Sequence, residues 1–508
     1  MRILLWHGWL LSGTGSNIYA ARTADVYRRQ GHDVVLLCQD RHPERTGFVD
    51  AWGTVGPDGI SDLRPAGAEP APGRVVLLRP QIGGLLPVFV LDEYEGFEVK
   101  RFLDLTDGEL DAYLERNVLA LEAAARWNPP DAVVTGHAVP GAVIAARALG
   151  PGRFVAKIHG SDLEYCIRHQ ERYLRLAREG LEAAAVVTGG SENVLSRAAE
   201  LIPTAADRFR TVPPGVDVGL FRPRPRREAL EEAAARLDGD RDTARGRPDD
   251  LDPEVAGLLG ERDGDGLDAL AATYDQQAPD PAAAARLRAL AGHSGPMVGY
   301  LGKLITQKGV ERVIEALTLL PSDVRGLVVG FGTHREWLAA LVRALDEGDL
   351  EAVDWLRPRL GLELDGSEVA MSRGLADRLT FTGRLDHRYA PQAVAALDVL
   401  VVPSMAPEAF GMVAAEGAAA GALPVVARHS SLAEVAEALE RAVGRPGLLS
   451  FAPGQGATRR LAEAVQRILS LPPAERAELG EIVSGYVASE WTWERTAQRL
   501  LELGGPGG

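Results

Sequence analysis

Residues 399–416 read VLVVPSMAPEAFGMVAAE. The four apolar residues at the start are typical of a buried parallel strand, and the proline-containing residues after them predict a loop. The alanine-rich remainder predicts a helix that begins near Gly411. A strand, a loop and a helix in this order form the repeating element of α/β proteins, whose ligands bind at the carboxyl ends of the strands.

Two features of this stretch indicate a ligand site. The first turn of a helix has backbone N–H groups without intrahelical partners, so it attracts anionic or oxygen-rich ligands. Glu408 lies in the predicted loop and Glu416 in the helix, so both carboxylates can border one crevice at the end of the strand. The N–H groups without partners would be those of Gly411, Met412 and Val413.

A second loop of the same kind lies earlier in the chain, where residues 301–310 read LGKLITQKGV. Lys303 and Lys308 flank a turn that leads from a strand beginning at Met297 into a helix beginning at Val310. At the carboxyl end of a strand, both ammonium groups can converge on a diphosphate and neutralise its charge. We therefore expect a phosphate-binding loop here.

The N-terminal part of the chain carries weaker signals of the same type. Gly13 and Gly15 follow the first strand, and a glycine turn permits close approach of the backbone to a phosphate or a sugar. His137 and His159 each end a predicted strand, and Asp162 follows the second of them. Two histidines at one edge of a sheet predict a polar pocket.

Length and composition limit the class of protein. The chain has 508 residues, more than the roughly 100–200 of one domain, and 46% hydrophobic with 25% charged residues is typical of globular proteins. The net charge of −16 argues against a surface that binds nucleic acid or anionic lipid. Two cysteines exclude a disulfide framework, and no apolar run reaches the roughly 18–20 residues of a spanning helix. We expect a soluble cytoplasmic protein of two α/β domains.

Taken together, these stretches resemble the retaining glycosyltransferases of family 4, which have two Rossmann-like domains facing each other across a cleft, the GT-B fold. The resemblance covers most of the chain, and its most specific part is the spacing of Glu408 and Glu416 within P-S-x-x-x-E-x-F-G. Its other segments are Ile158–Asp162, Val212–Asp217 with Phe221 and Pro223, Gly302–Gly309, Gly330–Gly332 and Phe381–Arg384.

The resemblance implies that the second domain binds a nucleoside diphosphate sugar, such as a UDP-sugar. Glu416 would bind the ribose hydroxyls, and Lys303 and Lys308 would bind the diphosphate. The backbone near Arg384 and Leu385 would contact the edge of the base.

The same resemblance implies the catalytic group, which would be Glu408, His159 and Lys308. Glu408 would orient the sugar that is transferred, assisted by the N–H groups of the helix start, and Phe410 and Gly302 would complete the donor contacts. The first domain would add Gly13 and Gly15 near the phosphates and His159 near the donor sugar, with His137 and Asp162 on the acceptor side. Family members need no divalent metal, so we expect no cofactor beyond the donor itself.

The implied domains are an acceptor-side domain, a linker, a charged helical insertion, a donor-binding domain and a C-terminal helix that crosses back to the first domain. Their expected ranges are 1–212, 213–223, 224–293, 294–485 and 486–508. The insertion carries a single aromatic residue, Tyr274, and lacks the apolar residues for a core of its own, so we expect it to be solvated. Pro424 and the pair Ser430-Ser431 depart from the family pattern, and we expect them to reshape the loop that faces the sugar.

Two other functions are left open. The chain could bind a sugar nucleotide without catalysis, or it could be a dinucleotide-dependent oxidoreductase or epimerase. The glycine turn after the first strand lacks the full G-x-G-x-x-G spacing, and Asp40 is the nearest acidic residue to the end of the second strand, which disfavours the latter. We expect a nucleotide-sugar donor, an alcohol acceptor and no nucleic acid. Oligomeric state and peripheral membrane association are left open.

Overall fold

Short apolar runs become the strands of two largely parallel sheets in the computed structural model, which describes residues 1–90 and 94–505. The chain divides into two units, which we call unit 1 and unit 2. Unit 1 is Met1–Gly215 together with the C-terminal segment from Trp491, and unit 2 is Val216–Glu490.

The large sheet of unit 1 has the order β11-β10-β9-β8-β1-β2-β5-β3-β4, and all its neighbours are parallel except β3 and β4, which form an antiparallel hairpin. The central strands are buried on both faces, which is why they are apolar throughout. The strands of unit 1 are β1 (Arg2–Trp6), β2 (Asp33–Leu37), β3 (Ala51–Gly56), β4 (Gly59–Pro65), β5 (Arg74–Pro80), β6 (Leu85–Val88), β7 (Glu98–Arg101), β8 (Ala132–Gly136), β9 (Val155–Lys157), β10 (Val186–Gly189) and β11 (Phe209–Thr211). Strands β6 and β7 pair with each other in a separate two-stranded sheet.

Helices cross between these strands, as parallel pairing requires. They are α1 (Gly15–Arg29), α2 (Asp107–Trp127), α3 (Val143–Leu149), α4 (Glu171–Ala183) and α5 (Glu192–Leu201). Shorter helical turns lie at Pro43–Arg45, Phe102–Asp104, His137–Ala142, Leu163–Ile167 and Pro203–Arg208.

The sheet of unit 2 is parallel with the order β14-β13-β12-β15-β16-β17. Its strands are β12 (Met297–Lys303), β13 (Arg325–Phe331), β14 (Leu379–Phe381), β15 (Val399–Val402), β16 (Leu423–Ala427) and β17 (Ser450–Phe451). Its helices are α6 (Arg226–Asp238), α7 (Asp252–Glu261), α8 (Gly264–Leu270), α9 (Ala283–Ala291), α10 (Val310–Thr318), α11 (Arg335–Glu347), α12 (Leu350–Leu360), α13 (Gly366–Ala370), α14 (Ala390–Ala395), α15 (Met412–Ala419), α16 (Ser430–Ala442), α17 (Ala457–Leu469) and α18 (Pro473–Glu490). Shorter turns lie at Arg241–Arg245, Asp249–Leu251 and Thr306–Lys308.

The predicted α/β class with parallel sheets is confirmed, but the charged segment 224–293 is not simply solvated. Both of its end helices belong to the core of unit 2, because Leu230 and Leu237 of α6 and Leu287 and Leu290 of α9 are buried. Small alanine side chains between these leucines let the two helices pack closely. The segment therefore packs against the rest of unit 2 at both of its ends.

The C-terminal part of the chain also differs in detail from the expectation. Helix α18 continues to Glu490 in unit 2, so the expected boundary at residue 486 falls inside this helix. The last helix, α19 (Trp493–Gly504), packs in unit 1, where Trp493 meets the ring of Tyr19 edge-on. Within the part of the chain that is described, no helix combines the length and apolar character needed to cross a membrane.

Candidate functional site

The loops after β12 and β15 touch at the carboxyl edge of the sheet of unit 2, where these two strands are neighbours. The carbonyl oxygen of Gln307 accepts hydrogen bonds from the N–H groups of Met405 and Ala406, at 2.8 and 3.2 Å. Gly309 has a φ of 66°, and a Cβ atom there would lie 2.5 Å from the carbonyl oxygen of Pro403. Only glycine fits this conformation and this close approach, so the glycine after Lys308 holds the two loops together.

This contact joins the residue predicted to bind phosphate, Lys308, and the residue predicted to bind the sugar, Glu408, in one ion pair. The Lys308 ammonium donates a hydrogen bond to Glu408 Oε1, and Ser404 Oγ donates to the same oxygen at 2.6 Å. Burial alone would raise the pKa of Glu408, but the Lys308 charge and the two hydrogen bonds outweigh it and hold the pKa below its ordinary value. Glu408 is therefore a carboxylate that accepts hydrogen bonds at neutral pH.

The backbone of Glu408 is fixed by the two serines that depart from the family pattern. Ser430 Oγ accepts a hydrogen bond from the Glu408 N–H at 3.1 Å, and Ser431 Oγ donates to the Glu408 carbonyl oxygen at 2.8 Å. The His429 ring lies 2.6 Å, Nε2 to oxygen, from the carbonyl of Ser404. Ser430 and Ser431 thus support the loop that carries Glu408. The sequence showed only that these two residues differ from the family pattern and did not indicate this role.

Glu416 lies on α15, beyond the loop that carries Glu408, and its residue is 8% exposed. The His387 Nε2 atom is 3.9 Å from its Oε1 atom, and the ring of His387 meets that of Phe221 edge-on. The helix is preceded by Gly411, with Phe410 buried and Met412 and Val413 in the first turn. The acidic residue expected to bind ribose therefore lies beside an imidazole that the sequence did not point to.

Two further cations of the predicted site share one aromatic ring. Lys303 Nζ and the guanidinium carbon of Arg384 lie 5.9 and 5.2 Å from the centroid of the ring of Phe331, the last residue of β13. Gly302 precedes Lys303 with its Cβ position 2.9 Å from Tyr300 Oη, and Tyr300 donates a hydrogen bond to the Lys303 carbonyl. These contacts place Lys303 and Arg384 at the carboxyl ends of β12 and β14, the two strands that flank β13.

Part of the charged segment reaches this same edge. Asp280 N–H donates to Thr382 O at 2.8 Å, and the Arg384 N–H donates to Ala278 O at 3.2 Å. The Arg384 side chain donates to Gln277 Oε1 at 2.8 Å. The backbone N–H of Arg384 is therefore already hydrogen-bonded within the protein. Leu385, the other residue expected at the edge of the base, is buried.

Buried ion pairs fasten the charged segment to unit 2. Arg247 and Glu336, almost fully buried, form a two-fold hydrogen-bonded pair at 2.8 and 2.9 Å. Tyr274 Oη donates to the same carboxylate at 2.7 Å, and the buried Asp280 carboxylate lies 3.7 Å from the Arg335 guanidinium. Removing one partner of such a pair leaves a buried charge uncompensated, so residues 274–280 are held firmly in place.

In unit 1, three histidines come together at the carboxyl ends of β1, β8 and β9, which are neighbours in the sheet. The ring of His137 lies 4.5 Å from that of His159 and 6.5 Å from that of His7, centroid to centroid. Trp9 and Phe89 flank His137 at 4.7 and 5.0 Å. The predicted polar pocket is thus a histidine group with aromatic neighbours, and His7 and Trp9 are additions that the sequence analysis did not single out.

Burial keeps these imidazoles neutral. It lowers the pKa of His7 to about 4 and the pKa of His137 and His159 well below the ordinary value, and the neighbouring histidines add to the last two. Both ring nitrogens of His137 are buried without a hydrogen-bond partner in the protein. A neutral imidazole can accept a proton or a hydrogen bond from a hydroxyl, so His137 has unused capacity for a polar ligand.

Asp162 and Lys157 lie behind the histidines. Both carboxylate oxygens of Asp162 accept backbone hydrogen bonds, from Ala138 at 2.6 Å and from Gly160 and Leu163 at 3.1 Å, so this residue shapes the loops. Burial raises the pKa of Asp162 to about 6 and lowers that of Lys157 to about 7. Lys157 Nζ donates to the carbonyl oxygen of Val212 at 3.0 Å.

The glycine turn of unit 1 borders the histidine group. Asn17 Oδ1 lies 2.8 Å from His7 Nε2, and the Asn17 amide donates to the Ser12 carbonyl, which folds the turn over the end of β1. Gly13 lies in this turn and Gly15 begins α1, and a Cβ atom at either position would meet nothing within 4 Å. The space over both glycines is therefore open to a ligand.

Comparison with known proteins gives a consistent family. The model of group 1 glycosyl transferases matches residues 366–483, and that of glycosyltransferase family 4 matches residues 13–220. A 2-deoxystreptamine glucosyltransferase of Streptomyces kanamyceticus is 32% identical over 213 residues, which are 40% of this chain and 45% of that protein. This chain therefore spans less than half the length of that relative.

A second relative aligns over more of its length. A GDP-mannose-dependent α-(1-6)-phosphatidylinositol monomannoside mannosyltransferase of Mycobacterium tuberculosis is 26% identical over 380 residues, 72% of this chain and 74% of that protein. Among solved structures, sucrose-phosphate synthase of Thermosynechococcus elongatus superposes with a TM-score of 0.57 at 19% identity, covering 99% of this chain and 98% of that one. Anabaena HepE in complex with UDP-glucose gives 0.55 at 16% identity, with 98% of each chain covered.

Proposed function

This chain belongs to the group 1 glycosyltransferases with the GT-B fold, and on that premise we propose that it transfers a sugar from a nucleoside diphosphate sugar to a hydroxyl group of an acceptor. The observation that carries the proposal is the contact of Lys308 and Glu408 at the ends of β12 and β15. It joins a cation suited to a diphosphate with a carboxylate suited to sugar hydroxyls.

In this proposal unit 2 holds the donor. Lys303 and Lys308 neutralise the diphosphate, whose charge grows as the bond to the sugar breaks, so their attraction is stronger in the transition state than in the ground state. The N–H groups at the start of α15 add to this field. Glu416 accepts hydrogen bonds from the ribose, and Arg384 lies near the base, held by Gln277.

We propose retention of the anomeric configuration. Because Lys308 and Ser404 hold Glu408 ionised, Glu408 is suited to accept hydrogen bonds from the sugar and unsuited to act as a general acid. The acceptor oxygen then bonds to the anomeric carbon on the face from which the diphosphate departs. The acceptor proton passes to an oxygen of the departing phosphate, so no protein acid is needed.

The histidine group of unit 1 is proposed to serve the sugar and its acceptor. The neutral rings of His137 and His159 can accept hydrogen bonds from hydroxyl groups. The glycine turn at Gly13 and Gly15 leaves room beside them.

The identity of the donor is testable first. We propose UDP or GDP as its nucleoside diphosphate, because HepE was solved with UDP-glucose and the mycobacterial relative is described as dependent on GDP-mannose. A thermal-shift screen of UDP, GDP and ADP should show stabilisation by one of them, since a ligand that binds the folded chain raises its unfolding temperature. Nuclear magnetic resonance of the product made from the matching sugar nucleotide then reports its anomeric configuration. Absence of any shift, or an inverted product, would contradict the corresponding part of the proposal.

A further inference from the structure

Two arginines pack on one tryptophan near the carboxyl end of β5 in unit 1. The guanidinium carbons of Arg64 on β4 and Arg79 on β5 each lie 4.7 Å from the centroid of the Trp52 ring on β3. Trp52 pairs in register with Arg64, and Arg79 pairs with Thr54, two residues from Trp52. These side chains therefore share one face of the sheet. Arg41, just after β2, is the third member of what we call the arginine cluster.

The arginine cluster forms no ion pair within the described part of the chain. Among the described residues, no carboxylate oxygen lies within the 4.0 Å of an ion pair from any of the three guanidinium groups. Arg41 donates to the carbonyl oxygens of Glu95 and Gly96, at 3.4 and 3.3 Å, and Arg64 donates to the carbonyl of Asp62 at 3.4 Å. These carbonyl contacts are long and neutralise no charge.

Arg79 is the member that is least satisfied. Its Nε atom is buried and has no hydrogen-bond partner. Burial lowers the pKa of Arg79, and the charges of Arg41 and Arg64 lower it further, so the three cations repel one another. The nearby carboxylate of Asp40 is engaged by the N–H groups of Leu11 and His42, at 3.1 and 2.9 Å. In a chain of net charge −16, this is a local group of three cations without an ion-pair partner among the described residues.

The arginine cluster lies at the same edge of the sheet as the histidine group. Sheet order places β2 between β1, which leads to His7, and β5, which carries Arg79. Neighbouring strands are about 4.8 Å apart, so the two strand ends are separated by about 10 Å. The residues between them are tied together, because Gln39 N–H donates to Trp9 O at 2.7 Å and the Gln39 amide donates to Pro80 O at 2.9 Å.

We propose that the arginine cluster binds a phosphate group of the acceptor. Guanidinium groups bind phosphate oxygens through paired N–H donors, and two of them are held in place here by the Trp52 ring. The position of the arginine cluster and the histidine group at one edge of the sheet suits an acceptor that bears both a phosphate and the reacting hydroxyl. Binding of phosphate by these residues does not depend on the proposed function. The assignment of that phosphate to the acceptor does rest on the proposed function.

Trp52 provides a local reporter for the test. The wild-type chain is titrated with glycerol 1-phosphate, and separately with phosphatidylcholine vesicles that contain or lack phosphatidylglycerol, while tryptophan fluorescence is followed. A phosphate source should change the emission, and Trp52→Phe should remove that change. Arg64→Gln with Arg79→Gln should weaken binding at least about tenfold, as expected for the loss of charge-assisted bonds to phosphate. Arg74→Gln, at the exposed other end of β5, is the matched control and should bind like the wild type.

The outcomes separate the two proposals. A response to glycerol 1-phosphate indicates a soluble phosphate ester, and a response only to the phosphatidylglycerol vesicles indicates a lipid headgroup. No Trp52-dependent response to either source, or equal binding by the double variant, overturns the phosphate site. Nucleoside diphosphate binding is measured on the same samples. If nucleotides bind while the Trp52 response is absent, the phosphate site is refuted and the proposed function stands. If the Trp52 response is present while no nucleotide binds, the phosphate site stands and only its assignment to the acceptor is lost.

Discussion

The side-chain carbonyl oxygen of Gln277 accepts a hydrogen bond of 2.8 Å from the guanidinium of Arg384. Gln277 belongs to the charged segment that precedes β12, whereas Arg384 follows β14 in the sheet that carries the proposed donor site. We expect Gln277→Ala to weaken binding of the preferred nucleoside diphosphate about threefold to tenfold, because it frees the guanidinium that this bond orients. Isothermal titration of the nucleotide measures the change.

Gln276 is the matched control for this prediction. Its amide N–H group donates to the carbonyl of Ala271 at 2.8 Å, whereas Arg384 donates to Gln277. Gln276→Ala should therefore leave nucleotide affinity unchanged. Arg384→Ala should weaken nucleotide binding more than either glutamine variant. Equal losses in the two glutamine variants would mean that the segment acts only through its folding.

The ion pair of Lys308 and Glu408 should control turnover. Glu408→Gln keeps the shape of the side chain but removes its charge, and we expect turnover to fall about a hundredfold with a smaller change in donor KM. Lys308→Ala should cost about 2–4 kcal/mol of transition-state stabilisation. Because the two side chains are in contact, the double variant should lose less than the sum of the single losses.

Steady-state kinetics with a donor concentration series gives these values. Glu437→Gln removes a carboxylate at an exposed position of α16 and serves as the control for loss of charge. Strictly additive losses, or normal turnover in Glu408→Gln, would contradict a joint role.

The histidine group should make unit 1 less stable in acid. The pKa values of its members are lower in the folded chain than the ordinary 6.5, so the unfolded chain binds more protons below that pH. The free energy of unfolding should therefore be intact above pH 6.5 and fall as the pH decreases, by about 1.4 kcal/mol per pH unit for each histidine. Asp162, whose pKa is raised to about 6, gives the opposite slope below pH 6 and offsets one histidine.

Thermal unfolding between pH 7.5 and 4.5 tests this expectation. His137→Asn removes one titrating ring, and asparagine tolerates the φ of 69° at this position, so the variant should show a shallower loss of stability with falling pH. His169→Asn, at an exposed ring, is the control. An unchanged pH slope in His137→Asn would show that this ring does not contribute.

The helices at the ends of the charged segment should be essential to unit 2. Leu287→Ala in α9 and Leu230→Ala in α6 each remove a side chain with no exposed surface, and each should cost about 2–5 kcal/mol of unfolding free energy. Leu350→Ala, at a position that is 42% exposed, is the control and should cost much less. Denaturant titration followed by circular dichroism distinguishes these results, and wild-type stability in Leu287→Ala would return the segment to the status of a solvated insertion.

Strands that are buried on both faces were predictable because they form unbroken apolar runs, and β15 coincides with the four apolar residues that open the stretch 399–416. The hairpin of β3 and β4 was missed, since most of β4 is exposed and its residues form no apolar run. The burial of α6 and α9 was also missed, because alanine-rich helices bear little apolar surface. Their small side chains nevertheless let the helices pack closely.

The candidate site divides in the same way. Residues within one loop, such as Glu408 and those up to Glu416, follow from local spacing. Partners that come from distant segments do not, and Gln277 beside Arg384 or Ser430 beside Glu408 depends on which loops the sheet order brings together. The arginine cluster was invisible for that reason, since Arg41, Arg64 and Arg79 lie on or after three different strands.

Helix α19 completes unit 1 from the far end of the chain, and this sets an order of events during synthesis. Every strand and helix of unit 2 leaves the ribosome before Trp493 does, whereas Tyr19 and Gly215 must await that residue. Because domains fold as units while the chain emerges, unit 2 can reach its final state first. The part of the protein that is translated earliest is thus among the last to be finished, and until then the nascent chain exposes the apolar surface that α19 will cover.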